Sequence, residues 1–344
     1  MATILADQLL DLTKLTLSKF GRHRFNDIAA SLQSYPVLSQ MLRKDRVMED
    51  GGKNIDRFIL KDYDISGDIH AGLFEEDNVN VGAHMDQLNV PWVHAKENYG
   101  YEVREMLMNS GAERLLSLLK PRRHAMMMRL AEGLETGYWT LKGSTESKKP
   151  LGEPYWVVRN ATEGFNGGLP SGFTDVGGID PTTTTGWKNY TFTYSNLTAD
   201  DGIRSLRKAH YLTKWVSPES FADYRKGRFQ DFKLYTNVEG VLDLVDAATK
   251  QNDRVGADLA TYDGKTLWFG HPIVHIPKLD ADSTNPLIMC DLAWMHMVVL
   301  KGDYLRQTGP EHLSDKHNVI VTHVDLTYQF ICTNRRQQGI GYKV

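Results

Sequence analysis

Two cysteines in 344 residues, Cys290 and Cys332, are too few for a disulfide framework and lack the clustered spacing that zinc demands. A reducing, cytoplasmic site of synthesis fits that usage. The chain has no run near the ~20 apolar residues that a membrane-spanning helix needs. Its first segment, MATILADQLLDLTKLTLSKFGRHRF, spaces Ile4, Leu9, Leu12, Leu15 and Leu17 like an amphipathic helix, but Asp7, Asp11 and Lys14 interrupt the apolar stretch of a signal peptide. There is no basic excess either. Against 43 Asp and Glu stand 40 Lys and Arg, a formal net charge of −3, without the surplus with which a dedicated reader holds nucleic-acid phosphates. No Walker loop, G-x-S-x-G elbow, dinucleotide-binding glycine pattern or H-E-x-x-H helix occurs, so catalysis has no candidate. What is present is ordinary: 41% hydrophobic and 24% charged residues, near the globular average, in a chain long enough to bury a real core.

Residues 1–48 read as an arm, with one amphipathic stretch, a polar joint at Gly21 and a second weak helix ending near Met41. Beyond Gly51 the pattern changes to short β runs. Ile55, Phe58, Ile59 and Tyr63 precede, and Val90, Trp92 and Val93 follow, a polar stretch containing Gly67, Asp68, Gly72, Glu75, Glu76, Asp77 and Gly82. Connections that long are uncommon within a compact domain. Two strands bridged by such a tip predict a projecting hairpin, which is marginal in water unless it lies on another surface. From Tyr99 to Trp139 the apolar spacing turns helical through Val103, Met106, Leu107, Leu115, Leu119, Met126, Leu130 and Leu134. Pro121 is disfavoured inside a helix and favoured in its first turn, so two helices are expected to meet there, the second about 30 Å long.

Residues 141–197 are rich in Gly, Thr and Pro, with strands expected at Tyr155–Arg159 and Tyr190–Tyr194. Thr198, Asp200 and Asp201 open a helix carried by Ile203, Leu206, Ala209 and Leu212, and a second helix runs from Asn237 through Ala248. Strands follow at Thr266–Phe269, Ile273–Ile276, Ile288–Asp291 and Met295–Leu300. The clearest period comes last. Ile320, Thr322, Val324, Leu326, Tyr328, Phe330 and Cys332 share one face, which predicts a half-buried strand of roughly 43 Å, far beyond the usual length.

Residues that suggest chemistry have plainer readings. His271 and His275 have a metal-binding spacing on a helix, but Pro272 and Pro277 make the segment extended and set the two ~13 Å apart. Glu75, Glu76 and Asp77 fit a cation site or a glycosidase acid pair less well than a solvated tip, and their preferred functional role is charge pairing with a neighbouring chain. Arg122, Arg123, Arg129, Arg335 and Arg336 offer contacts to DNA, although charges at a helix start or strand end are usually solvated. Met126–Met128 reads as core packing. Asn160, Asn189 and Asn196 open N-x-Thr sequons, which mean nothing without a secretory signal. No catalytic, cofactor-binding or metal-ligating residue and no cofactor is expected.

In order, the elements are arm, hairpin, long helix, mixed α/β block with two helices, and long terminal strand. That order, with the stretches TLWFGHPIVHIPKLD, LIMCDLAWMHMVVLKGDYLRQ and HNVIVTHVDLTYQFICTNRRQQGIGYKV, resembles the major capsid (major head) proteins of tailed bacteriophages, the Hong Kong phage-type fold shared with encapsulins. The resemblance covers nearly the whole chain. It implies an α+β fold with an N-terminal arm (1–48), an extended-loop hairpin (49–97), a spine helix of the peripheral domain (98–140), an axial domain with interleaved peripheral segments (141–310) and a terminal peripheral strand and tail (311–344). It implies a non-enzymatic subunit that assembles with itself as pentamers and hexamers into an icosahedral virion head. That head is built in the host bacterial cytoplasm, encloses double-stranded DNA by non-specific contact and involves no membrane. Too few residues precede the hairpin for a cleavable scaffolding segment, so a separate scaffolding protein and a portal are expected partners, with a decoration protein as a further candidate. Lys53 and Lys61 match no isopeptide crosslink pattern, and none is expected. Two alternatives stand beside this reading. One is an encapsulin-type compartment carrying protein cargo. The other, a carbohydrate-active enzyme or sugar-binding module, is prompted by seven Trp and fifteen Tyr, but these are spread through every element rather than set as a platform.

Overall fold

The computed structural model describes residues 35–43, 47–61, 85–108, 112–213, 232–251, 259–262 and 265–344. Most of the expected arm and the polar tip with Glu75, Glu76 and Asp77 lie outside them. Helix α1 (Pro36–Arg43) turns Val37, Leu38 and Met41 into the interior, so the end of the arm segment is docked. Strand β1 (Val47–Glu49) precedes a hairpin of β2 (Asn54–Leu60) and β3 (Met85–Pro91), paired antiparallel with Ile55 opposite Val90 and Leu60 opposite Met85. The return strand stops at Pro91, short of the boundary expected at 97, and β4 (Val93–Glu102) belongs to another sheet.

Helix α2 (Val103–Met108) leads into α3 (Ala112–Tyr138), and Pro121 lies inside α3, not at a junction of two helices. A proline removes one backbone hydrogen bond, crowds the carbonyl four residues earlier and disfavours helical dihedrals at the residue before it, at roughly 3 kcal/mol in all, yet the helix runs through it. Burial of Leu130, Leu134 and Tyr138, one above the other on the C-terminal half, offsets that cost. The helix has 27 residues, about 40 Å. Tyr155–Arg159 is also corrected: α4 (Glu153–Trp156) is a single helical turn there. Pro154 suits a first turn, and a Cβ at Gly152 would meet the Tyr138 carbonyl oxygen at 2.3 Å, so only glycine lets the chain cross α3 this closely.

The chain continues through β5 (Gly164–Gly167), β6 (Asn189–Tyr194), α5 (Gly202–Thr213), β7 (Phe232–Thr236), α6 (Val238–Gln251), β8 (Leu259–Tyr262), β9 (Lys265–Trp268), β10 (His271–His275), β11 (Leu287–Asp291), β12 (Met295–Leu300), β13 (Arg306–Leu313), β14 (Lys316–Cys332) and β15 (Gly339–Lys343). Elements with a clear apolar period, namely β6, α5, α6, β9 to β12 and β14, lie where that period placed them.

Among the described residues the strands form three sheets. One has the order β1-β12-β14-β13 with β4 also on β14, one is the hairpin, and one has the order β5-β6-β15-β11-β7-β10-β9-β8. Strand β14 is the axis of the first. It has 17 residues, about 58 Å, flanked by β13 and β4 in its first part and by β12 toward its end. The expected half-burial holds only for its first part. From Leu326 to Cys332 every residue is buried, because both faces are covered: Gln329, on the face away from Tyr328 and Phe330, accepts from the Leu151 amide (2.8 Å) and donates to the Pro91 carbonyl (2.9 Å).

The tail expected after β14 is itself a strand. Past a turn at 334–338, β15 inserts into the interior of the eight-stranded sheet, parallel to β6 and antiparallel to β11. One face of that sheet packs Tyr190, Phe192, Leu234, Leu287 and Met289 beneath α5 and α6. The other turns Tyr235, Ile288, Cys290 and Ile340 into a larger core shared with α1, α3, the hairpin root and β14.

Arg335, in the turn between β14 and β15, is fully buried, which overturns its reading as a DNA contact. Its Nε donates to the Trp156 carbonyl and its Nη1 to the Trp187 carbonyl, both at 2.7 Å, while Nη2 donates to the carbonyls of Gly167 (3.1 Å) and Gly168 (2.9 Å). Burial lowers its pKa to about 10, so it stays charged at neutral pH. Arg335→Leu leaves four carbonyls without their donor and is expected to cost about 3–5 kcal/mol, read as a lower urea midpoint. Arg335→Lys, a point charge without the planar fork, is expected to recover only part of that loss.

Candidate assembly surfaces

The charged residues singled out by sequence are mostly engaged within the chain. Arg122 forms a bidentate pair with Glu105, at 2.8 and 3.1 Å, and donates to the Gly100 carbonyl. The hydrogen bond from Arg122 holds the Glu105 carboxyl below its usual range. Arg129 pairs with Glu97 at 3.2 Å, and Arg336 lies over the Phe165 ring at 4.2 Å. Lys61 pairs with Asp86, while Lys53 is exposed. His275 bonds to Asp280 at 2.9 Å, and the His271 ring packs edge-on to Phe232. No group of three or more His, Cys, Asp or Glu among the described residues is placed to hold a metal ion. Of Met126–Met128, expected as core, Met126 is buried against Tyr99 and Val324, whereas Met127 is exposed. Of the three sequon asparagines, Asn189 is fully buried, where it donates to the Val158 carbonyl.

Two buried glutamates differ sharply. Glu135 accepts from the Leu38 amide and from Trp139 Nε1, both at 2.9 Å. Glu153 lines a cleft with Trp139, Leu141 and Leu279, and its Oε1 finds no donor. Desolvation raises the Glu153 pKa to about 8, opposed only by the field of Arg159. Sequence gave no sign of this site, because a Glu before Pro in a Gly-rich stretch reads as a solvated turn.

The hairpin is two-faced. Ile55, Leu88 and Val90 are buried against the core. Leu88 fits over Gly177, whose φ of +67 and lack of a Cβ admit it: a Cβ there would stand 2.3 Å from Leu88 Cδ1. The Asn89 amide donates to the Gly177 carbonyl at 2.8 Å. On the opposite face, near the root, Asn54, Asn89 and Asp56 bond to one another. Toward the tip that face becomes apolar, with Phe58 72% and Met85 59% exposed and Leu60 beside them. The sequence carries a signal for this in the run Phe58-Ile59-Leu60, since adjacent apolar residues in a strand point to opposite faces and both then need cover. A second exposed apolar stripe runs along α6 through Val238, Leu242 and Val245.

By sequence, no family model and no curated protein matches the chain. By structure, it is similar to the subunit of the cyanophage A-1(L) capsid asymmetric unit, at 10% identity and a TM-score of 0.61, over 94% of this chain and 96% of that one. It is also similar to the capsid of Myoviridae phage XM1 (9%, TM-score 0.53, 100% and 99% covered) and to the capsid of the native GTA particle (13%, 0.52, 95% and 96%). The chain therefore has the Hong Kong phage-type capsid fold, an α+β architecture. No helix among the described residues is long and apolar enough to cross a membrane.

Glu153 supplies a pH test. Its folded pKa, about 8, lies above the ordinary carboxylate value of 4.5, so between those values the folded state keeps a proton that the unfolded state has lost. The stabilisation is complete below pH 4.5 and falls by about 1.4 kcal/mol per unit as pH rises, until it is gone above pH 8. Denaturant melts across pH 5–8 are expected to show wild-type stability dropping relative to Glu153→Gln; parallel curves would mean that Glu153 does not carry the proton.

Proposed function

We propose that this chain is the major capsid protein of a tailed double-stranded-DNA bacteriophage, a non-enzymatic subunit assembling as pentamers and hexamers into an icosahedral head in the host cytoplasm. The observation that carries the reading is the hairpin face of Phe58, Leu60 and Met85. A two-stranded sheet is marginal by itself; one face of this one rests on its own subunit, where Ile59 packs on the core and Thr184 Oγ1 donates to Asp86, while toward the tip the other face presents apolar side chains outward. A neighbouring subunit is the surface that would cover it. The fold similarity to capsid subunits over both chain lengths is consistent with that assignment.

In this reading the five-stranded sheet with α3 forms the peripheral body, and the eight-stranded sheet with α5 and α6 forms the axial one. A separate scaffolding protein and a portal act during assembly, and packaged DNA is contacted without sequence preference.

Negative-stain microscopy of the protein, expressed alone and with a scaffolding protein, is expected to show uniform closed particles. Persistent monomers under both conditions would sink the proposal, and closed shells holding one defined cargo protein without nucleic acid would move it to a cargo compartment. The double variant Phe58→Glu with Met85→Glu is expected to melt within about 0.5 kcal/mol of wild type, because both side chains are exposed in the subunit. It should nonetheless fail to form closed shells; normal shells from it would remove the hairpin face from the interface.

A further inference from the structure

Helices α5 and α6 lie on the same face of the eight-stranded sheet, α5 over β6 and β15 and α6 over β10 and β8. Four strand spacings separate β6 from β10, about 19 Å. The helices therefore sit toward opposite edges of one layer, and each has an outer face.

The two outer faces differ in charge. Helix α5 contains Arg204, Arg207 and Lys208 and no acidic residue, whereas α6 contains Glu239, Asp243 and Asp246 with a single lysine in its last turn. Arg204, Lys208, Tyr211 and Leu212 are exposed on α5, Tyr211 to 66%. On α6, Val238, Leu242 and Val245 follow i, i+4, i+7 spacing on the exposed side, Leu242 to 53%, with Glu239 and Asp246 exposed beside them. The basic face already holds a carboxylate: Lys208 pairs with Glu163 at 2.7 Å, and its hydrogen bond, with the field of Arg204, keeps that carboxyl below its usual range. Each helix thus combines exposed apolar side chains with charge mainly of one sign, and the signs are opposite, although Glu163 already offsets Lys208 on the basic side.

Complementary patches at different places on one chain make a heterologous contact, and such contacts generate rings when the rotation closes. We propose that the outer face of α5 docks on the outer face of α6 of the next copy of this chain, with Tyr211 and Leu212 set against Leu242 and Val245 and the charges at the rim. This rests on the shell-subunit reading and deepens it: it names the surfaces that set neighbouring subunits side by side, distinct from the hairpin face.

Charge reversal tests it. Arg204→Glu with Lys208→Glu on α5, or Glu239→Lys with Asp246→Lys on α6, is expected to lower the yield of closed particles at least tenfold by microscopy and sedimentation. Combining both pairs is expected to restore most of it. Leu242→Gln, at an exposed position, should weaken assembly while circular-dichroism melts stay unchanged, which guards against a reversal that merely misfolds. If wild type makes shells and the reversed variants and Leu242→Gln make them equally well, this contact is wrong and the shell reading stands. Failure of the combined variant to recover, when each single-face variant folds, also overturns the contact. Wild-type protein that never forms rings or shells overturns both.

Discussion

One buried guanidinium holds together parts of the chain that no continuous apolar pattern joins. Arg335 sits where β14 leaves one sheet and β15 enters the other, and it binds carbonyls from residues 156, 167, 168 and 187. Those carbonyls belong to a stretch rich in Gly, Thr and Pro, with little regular structure to satisfy its backbone. Burying an unpaired charge there would be prohibitive, and four carbonyl acceptors offset that cost. The order passes outward. Trp187, fixed by Arg335, donates from Nε1 to the Val176 carbonyl at 3.0 Å; Gly177, next in the chain, receives the Asn89 amide and accommodates Leu88. The root of the hairpin is thus held, at two removes, by the turn that joins the sheets.

This arrangement explains what could be read in the sequence. Strand β14, helices α5 and α6, and the strands between Lys265 and Leu300 were legible because each buries a stripe at its own period. Tyr155 and Trp156 look like strand formers, but both are buried where Gly152 crosses α3 and Arg335 takes the Trp156 carbonyl, so tertiary contacts overrode propensity. Pro121 signals a helix boundary only if nothing holds the helix across it, and Leu130, Leu134 and Tyr138 do. Strand β15, GIGYK, has two glycines and no alternation, and its partners β6 and β11 are distant in sequence. Arg335 itself, beside Arg336 and near the chain end, carries every outward mark of a solvated residue. A rule based on charge placement cannot distinguish a guanidinium facing water from one facing four carbonyls.

The exposed apolar surfaces were legible in part. Phe58-Ile59-Leu60 is apolar on both faces of a strand, and Val238, Leu242 and Val245 widen the apolar arc of α6 beyond its buried face of Leu244, Ala247 and Ala248. In each case the excess over what one face needs corresponds to the side chains that the structure leaves exposed. The charged candidates behaved in the opposite way. Arg122 and Arg129 spend their charge on Glu105 and Glu97, bracing α3 against β4 and the start of α2. Such part-exposed pairs contribute little stability each, but they fix the direction of a long helix relative to the sheet.

The hairpin connects folding to association. Its outward face is polar and self-bonded at the root, through Asn54, Asn89 and Asp56, and apolar farther out at Phe58, Leu60 and Met85. The root is therefore complete in the isolated subunit and has no need of a partner, whereas the outer part gains its full apolar burial only when something covers it. Roughly 1.5–3 kcal/mol per large side chain becomes available at that step, a modest sum for one contact but one that the proposed shell would repeat at every neighbour. A rigid root makes that gain usable. Were the root loose, part of the association energy would go into ordering the strands, and the angle at which the apolar face meets its partner would not be set. In the proposed shell, the buried Arg335 would thus bear on association through the direction it gives the hairpin.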